Sequence, residues 1–281
     1  MLEVIERAPQ RESGNAPLLF VHGAWHGAWC YDEYFLDFFA EKGYRALALS
    51  LRGHGNSTAP KFPRLCSTAD FVDDVDSVAR RLPEPPVLIG HSMGGFVVQK
   101  YLETHDAPAA VLLASVPPSG ITGFLLGRFK RHPWLTVSAL ARMRSLRGIG
   151  GTPELAREAF FSASNSDADV SRYTALLCEE YAARIAIDML WVNLPKPHLV
   201  TTPLLVLGAE DDACFTQKEV LSTAAAYRTE AEFFPKMSHD VMLDPGWVAV
   251  AERILVWLET LAAQRKSTGA AGQAFDPMKE R

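Results

Sequence analysis

Apolar residues along this chain fall into short blocks separated by amphipathic stretches. Pro17 to Val21, Tyr44 to Leu51, Val87 to Gly90, Ala109 to Ser115 and Pro203 to Leu207 are apolar runs of strand length. Runs without polar alternation mark strands covered on both faces, as in a parallel sheet. The intervening patterns are helical. Tyr31 to Lys42 carries Phe35, Leu36, Phe38 and Phe39 on its apolar side and stops at Gly43. Ser67 or Thr68 caps a helix through Leu82, whose Asp70, Asp73, Asp74 and Asp76 suit the positive end of the helix dipole. A helix follows Gly94, with apolar Phe96, Val97, Tyr101 and Leu102. Further on come a helix near Thr216 to Tyr227, a short strand from Glu230 to Phe234, and a last helix from about Pro245 to Ala263. Leu2 to Arg7 alternates weakly, as an edge strand does. Strands alternating with helices predict an α/β fold with a mostly parallel sheet and right-handed crossovers.

That rhythm stops at Pro117-Pro118. From Ser119 to Pro197 the pattern is helical, with a helix from Pro153 through Phe160, another capped by Ser166 or Asp167, and a third over Cys178 to Trp191. The expected organisation is a core of residues 1–118 and 198–263, a helical cap of residues 119–197, and a polar, disordered tail of residues 264–281. The cap's Phe124, Leu125, Leu126, Trp134, Phe160, Phe161, Met189 and Trp191 divide between packing and pocket lining. Phe124 to Arg131 mixes apolar residues with Arg128, Lys130 and Arg131, the pattern of a solvated helix face or of a contact with anionic lipid.

Composition narrows the partners. Of 281 residues, 48% are hydrophobic and 22% charged, and the net charge of -5 offers nucleic acid no broad basic field. Cys30, Cys66, Cys178 and Cys214 form no C-x-x-C pair, so neither a zinc site nor a disulfide framework is expected. The start, Met1-Leu2-Glu3-Val4-Ile5-Glu6-Arg7, lacks the apolar core of a signal peptide. No apolar run reaches the roughly 18 residues that span a bilayer. The expected location is the cytoplasm.

The chemistry gathers at Val87-Leu88-Ile89-Gly90-His91-Ser92-Met93-Gly94-Gly95. A buried strand, then Gly-x-Ser-x-Gly, then a helix is the context in which a tight, strained turn exposes the serine hydroxyl. Serine needs a base. Its partners follow this motif in the order acid, then histidine. Glu210, Asp211 and Asp212 follow the strand after the insertion, and of eight histidines only His239 comes later. An oxyanion needs aimed N–H donors, expected at Met93 and, in the loop His22-Gly23-Ala24-Trp25, at Ala24. His22 and His26 are spaced i, i+4 but lack a third ligand, so no metal is expected; His22 braces the loop, and Trp25 and His26 line the substrate pocket. His54 is expected to be structural.

His22-Gly23, Arg52-Gly53-His54-Gly55-Asn56-Ser57, Gly90 to Gly95, Gly208-x-x-Asp211 and Ser238-His239 together resemble the α/β-hydrolase superfamily in order and spacing, over about residues 15 to 263. The stretch His22 to Cys30 looks like that of plant methylesterases and hydroxynitrile lyases. The Arg-Gly-His-Gly loop and larger insertion look more like bacterial esterases and lysophospholipase-like hydrolases. The resemblance favours Asp211 as the acid, the aspartate three residues after Gly208, over Asp212. It also implies a helical cap over Ser92. One departure is that a single strand fits before Pro17 where fuller members have two. The implied activity is a serine hydrolase with a triad of Ser92, Asp211 and His239, cleaving a small-molecule carboxylic ester with an apolar acyl or alcohol part through an acyl-enzyme, without cofactor. Thioester or C–C hydrolysis, cyanohydrin cleavage and acyl transfer use the same constellation, and a ligand receptor uses the same fold. Epoxide hydrolases and dehalogenases carry aspartate where this chain has Ser92.

Overall fold

A computed structural model of the chain describes residues 1–11, 14–142, 150–180 and 183–273. The apolar runs form strands β1 (Glu3–Arg7), β2 (Leu18–Val21), β3 (Ala46–Ser50), β4 (Val87–His91), β5 (Ala110–Leu113), β6 (Leu204–Ala209) and β7 (Ala231–Phe234). They lie in one sheet in the order β1-β3-β2-β4-β5-β6-β7. β1 pairs antiparallel with β3, and the other neighbours pair in parallel. Every residue of β2 to β6 is buried, which is why those segments read as unbroken apolar runs. Strand order turns back around β2 and β4, and in open α/β sheets the crevice at the strands' carboxyl ends beside such a switch holds the ligand. Ser92 follows β4 there.

The helices flank the sheet: α1 (Trp29–Asp32), α2 (Phe35–Glu41), α3 (Thr68–Ala79) and α4 (Met93–Tyr101) precede β5. Between β5 and β6 come α5 (Thr122–Arg131), α6 (Pro133–Arg142), α7 (Pro153–Phe160), α8 (Asp167–Leu176), α9 (Ala183–Ile187) and a π-helical turn at Asp188–Val192, with no strand among the described residues. After β6 lie α10 (Gln217–Ala226) and α11 (Trp247–Gln273). Polar caps fix the starts. Ser67 with Asp70, and Thr216 with Glu219, form reciprocal capping boxes, and Thr152 and Ser166 each accept an N–H of the following turn.

Several boundaries differ from the sequence reading. The helix expected over Tyr31 to Lys42 is split into α1 and α2 by Glu33 and Tyr34. Where a helix was expected from Cys178, the described helix spans Ala183–Ile187, and Cys178 lies outside it with its N–H bonded to Trp25 O. β6 continues past Leu207 to Ala209. α11 runs through residues 264–273, which the sequence reading placed in the tail. Residues 274–281 lie outside the described residues. Among the described residues no helix is long and apolar enough to cross a membrane.

The helical insertion is stitched to the sheet-end loops. Cys178 N donates to Trp25 O (2.8 Å), Asp240 N donates to Phe160 O (2.9 Å), and Asn165 Nδ2 donates to Leu243 O (2.8 Å). Asp188 accepts from both the backbone N and the hydroxyl of Thr68, tying the π-helical turn to the start of α3.

Candidate active site

Ser92 sits at φ 51°, ψ -117°, a left-handed conformation that a side chain rarely adopts. The cause is the abrupt passage from β4 into α4. A Cβ on Gly90 would lie 2.6 Å from Gly94 O, and one on Gly94 would strike the carbonyl oxygens of Val21 and His22. Only glycine at both places lets strand and helix pass this closely. Met93 is the first residue of α4, so its N–H is among those the helix leaves without an internal acceptor, at the positive end of the dipole. Opposite it, a Cβ on Gly23 would fall 3.0 Å from Ser92 Cβ, which brings the loop holding Ala24 against the serine.

His239 follows β7. Its Nδ1 lies 2.9 Å from Asp212 Oδ2 and 3.1 Å from Oδ1. The carboxylate that reaches His239 is thus Asp212 and not Asp211, the expected one, a correction to the sequence reading. Asp211 is exposed and is held by its backbone, its N–H donating to Met237 O (3.0 Å), while the Asp212 carboxylate turns inward to His239. Asp212 Oδ1 also accepts the N–H groups of Cys214 (2.7 Å) and Phe215 (3.1 Å), which fix the carboxylate's orientation. Burial alone would lower the His239 pKa. The adjoining Asp212 carboxylate outweighs it, so the imidazole is held well above its ordinary value. Cys214 also touches this ring, but burial pushes its thiol pKa up, so Asp212 is the charge that acts near neutrality.

The other histidines brace the frame. Leu51 N donates to His22 Nε2 (3.0 Å), which places the ring proton on Nδ1 and makes it donate to Gly23 O (2.7 Å). Burial drives the His22 pKa well down, so this ring is a neutral strut for the loop. His26 was expected to line the pocket and does not. It is 1% exposed, with Nδ1 donating to Ala24 O (2.8 Å) and Nε2 2.9 Å from Asp240 Oδ2. Its loop folds inward, and the polar ring is buried only because both nitrogens find oxygen. Trp25, at φ 65°, packs on Phe160 and lines a cavity of about 330 Å³ with Pro153, Thr174, Leu177 and Cys178. His54 pairs with Glu180 of the insertion (2.8 Å).

Asp240, Cys214 and Phe215 lie in the site without having been foreseen. Asp240 is buried between His26 and His91, whose Nε2 donates to His239 O (3.1 Å). Burial takes the His91 pKa down to about 3, so it is neutral. Of the cap aromatics, Phe160 (6.1 Å between ring centroids) packs on His239, as does Phe215 (5.5 Å), and Phe124 packs on Phe215. These rings keep water from the imidazole. Leu126, Trp134 and Trp191 are exposed instead. Among the described residues, two groups hold three metal-type donors within 4.8 Å, His91/His239/Asp240 and Asp212/Cys214/His239. A cation in either would engage His239, which already serves Asp212. His22 and His26 belong to neither.

A family model described as "Alpha/beta hydrolase family" matches residues 18–252. "Probable esterase PIR7A" from Oryza sativa subsp. indica is 34% identical over 127 residues, 43% of this chain and 48% of that protein. "Non-heme chloroperoxidase" from Streptomyces lividans is 37% identical over 106 residues, 36% of this chain and 37% of that protein. The chain thus spans at most about half the length of these curated relatives. The solved thermophilic esterase from Thermogutta terrifontis superposes with a TM-score of 0.71 at 20% identity, covering 92% of this chain and 93% of that one.

Proposed function

Because the chain belongs to the alpha/beta hydrolase family, we propose that it is a serine hydrolase of small carboxylic esters with an apolar acyl or alcohol part. The observation that carries the reading is the buried His239–Asp212 pair, held to the strained strand-to-helix turn of Ser92 through the preceding His91, whose ring lies 4.7 Å from that of His239 and whose Nε2 donates to His239 O. His239 Nε2 takes the Ser92 proton as Oγ attacks the ester carbonyl. Asp212 keeps the ring proton on Nδ1 and stabilises the imidazolium that forms. The N–H groups of Met93 and Ala24 receive the oxyanion, aided by the α4 dipole. His239 then protonates the leaving alcohol, and water delivered by the same base releases the acid from Ser92. The aromatic lining from Phe160, Phe215 and Phe124 favours an apolar acyl or alcohol group, and the relative named as an esterase is in keeping with that.

Intact-mass labelling with a fluorophosphonate, run beside hydrolysis of p-nitrophenyl esters from acetate to laurate, tests the reading. Wild type is expected to take one label and to turn over; Ser92→Ala is expected to take none and to lose about 10³-fold or more in turnover. Turnover by Ser92→Ala at the wild-type rate would remove Ser92 from the mechanism.

A further inference from the structure

The acidic residues avoid one stretch of this chain. Residues 107–153 contain no Asp or Glu and carry six cations, Arg128, Lys130, Arg131, Arg142, Arg144 and Arg147. With a total of 28 cations and 33 anions, the rest of the chain has 22 cations against the same 33 anions, a charge of -11. The positive stretch includes the helical hairpin of α5 and α6, which meet at His132.

The same hairpin turns large apolar side chains outward. Trp134 is 84% exposed and Leu126 57%, and Phe129, Leu135 and Val137 are exposed as well. On α5, Leu126, Phe129 and Lys130 share one side at i, i+3 and i+4, and on α6 Trp134 and Val137 repeat the i, i+3 spacing. Lys130 and Arg131 are exposed beside them, while Glu158 pairs with Arg128 and His132. The opposite side of α5 is packed: Phe124 is buried against Phe215, which lies against His239. One helix therefore has an apolar and cationic outer face, and an inner face one ring removed from the proposed base.

We propose that the α5–α6 hairpin docks on an anionic lipid bilayer surface. Indole and phenyl groups at such exposure gain by entering the headgroup–acyl boundary, and cations beside them are drawn to anionic headgroups. A nucleic acid would use the cations and leave Leu126, Phe129, Trp134 and Val137 in water, so the bilayer fits more of the surface. With the hydrolase reading, on which this last step rests, docking brings lipid-borne esters to the helix whose inner face packs through Phe124 and Phe215 toward His239.

Co-sedimentation of the 281-residue chain with large vesicles of phosphatidylcholine and phosphatidylglycerol, 

against phosphatidylcholine alone, tests docking without relying on any activity. Binding is expected to the anionic vesicles and to weaken with salt. Lys130→Glu with Arg131→Glu should lower partitioning by about 25-fold or more, from about fivefold per cation. Phe129→Ala with Trp134→Ala should lower it by about tenfold or more. Near-ultraviolet circular dichroism and turnover of soluble p-nitrophenyl butyrate report whether the variants are folded. No preference for anionic vesicles, binding undiminished in both variants, or retention by DNA in place of vesicles would overturn the proposal. If vesicles bind and soluble esters are not cleaved, docking stands and the hydrolase reading fails.

Discussion

Asp212→Asn isolates the role of the acid. The side chain is fully buried, so the substitution changes hydrogen bonding without changing shape. Oδ1 takes the N–H groups of Cys214 and Phe215, and an amide oxygen keeps both by sitting there. The amide NH₂ then replaces Oδ2, 2.9 Å from His239 Nδ1. A donor now faces Nδ1, so the ring must accept there and carry its hydrogen on Nε2. That tautomer has no lone pair for the Ser92 proton. Such a reversal costs about 10³ to 10⁴ in kcat/KM, or about 4 to 5.5 kcal/mol of transition-state stabilisation. Asp211→Asn, at an exposed position, should stay within about twofold of wild type. The assay is kcat/KM for p-nitrophenyl butyrate from pH 5 to 9. In wild type the neutral imidazole is the active form and Asp212 holds its pKa above the ordinary value, so activity falls as pH drops through that raised value. In Asp212→Asn the attracting charge is gone and the residual activity should show its acid limb at lower pH. Equal losses in the two variants, or an Asp212→Asn enzyme near wild type, would refute the reasoning.

Two further outcomes follow from the packing around the serine. His26→Ala strips the partner from the buried Asp240 carboxylate, whose pKa is held below its usual range despite burial, and should lower unfolding free energy in urea by about 3 to 5 kcal/mol; a loss below about 1 kcal/mol would mean the pair contributes little. Gly94→Ala forces a methyl onto the carbonyl oxygens of Val21 and His22 and should cost about 1 to 3 kcal/mol or more by the same measurement, with turnover falling further than stability if the turn shifts.

The sheet was legible because burial on both faces leaves unbroken apolar runs, and Ser92 because glycine on either side of it answers a steric need visible in the string. Chain order pointed to His239, which the structure pairs with a carboxylate. Which carboxylate pairs with it was not legible, because Glu210, Asp211 and Asp212 are adjacent and the choice turns on where β6 ends. The strand continues to Ala209, and the turn then binds Asp211 through its backbone and directs Asp212 inward. His26 was misread because its partner, Asp240, is 214 positions away, and nothing local reports a pairing of that span. The insertion was legible as helical and not in its detail: Cys178 leaves its helix for a bond to Trp25, a tertiary demand that overrides local propensity.

The bond from Asp240 N to Phe160 O joins the residue beside the proposed base to the end of α7, and Asn165 and Ala159 add bonds to Leu243 O and from Cys214 Sγ close by. This part of the insertion is thus tied both to the loop that carries His239 and to the turn that orients Asp212. The pairing on which the proposed chemistry rests is thereby coupled to the seating of the insertion.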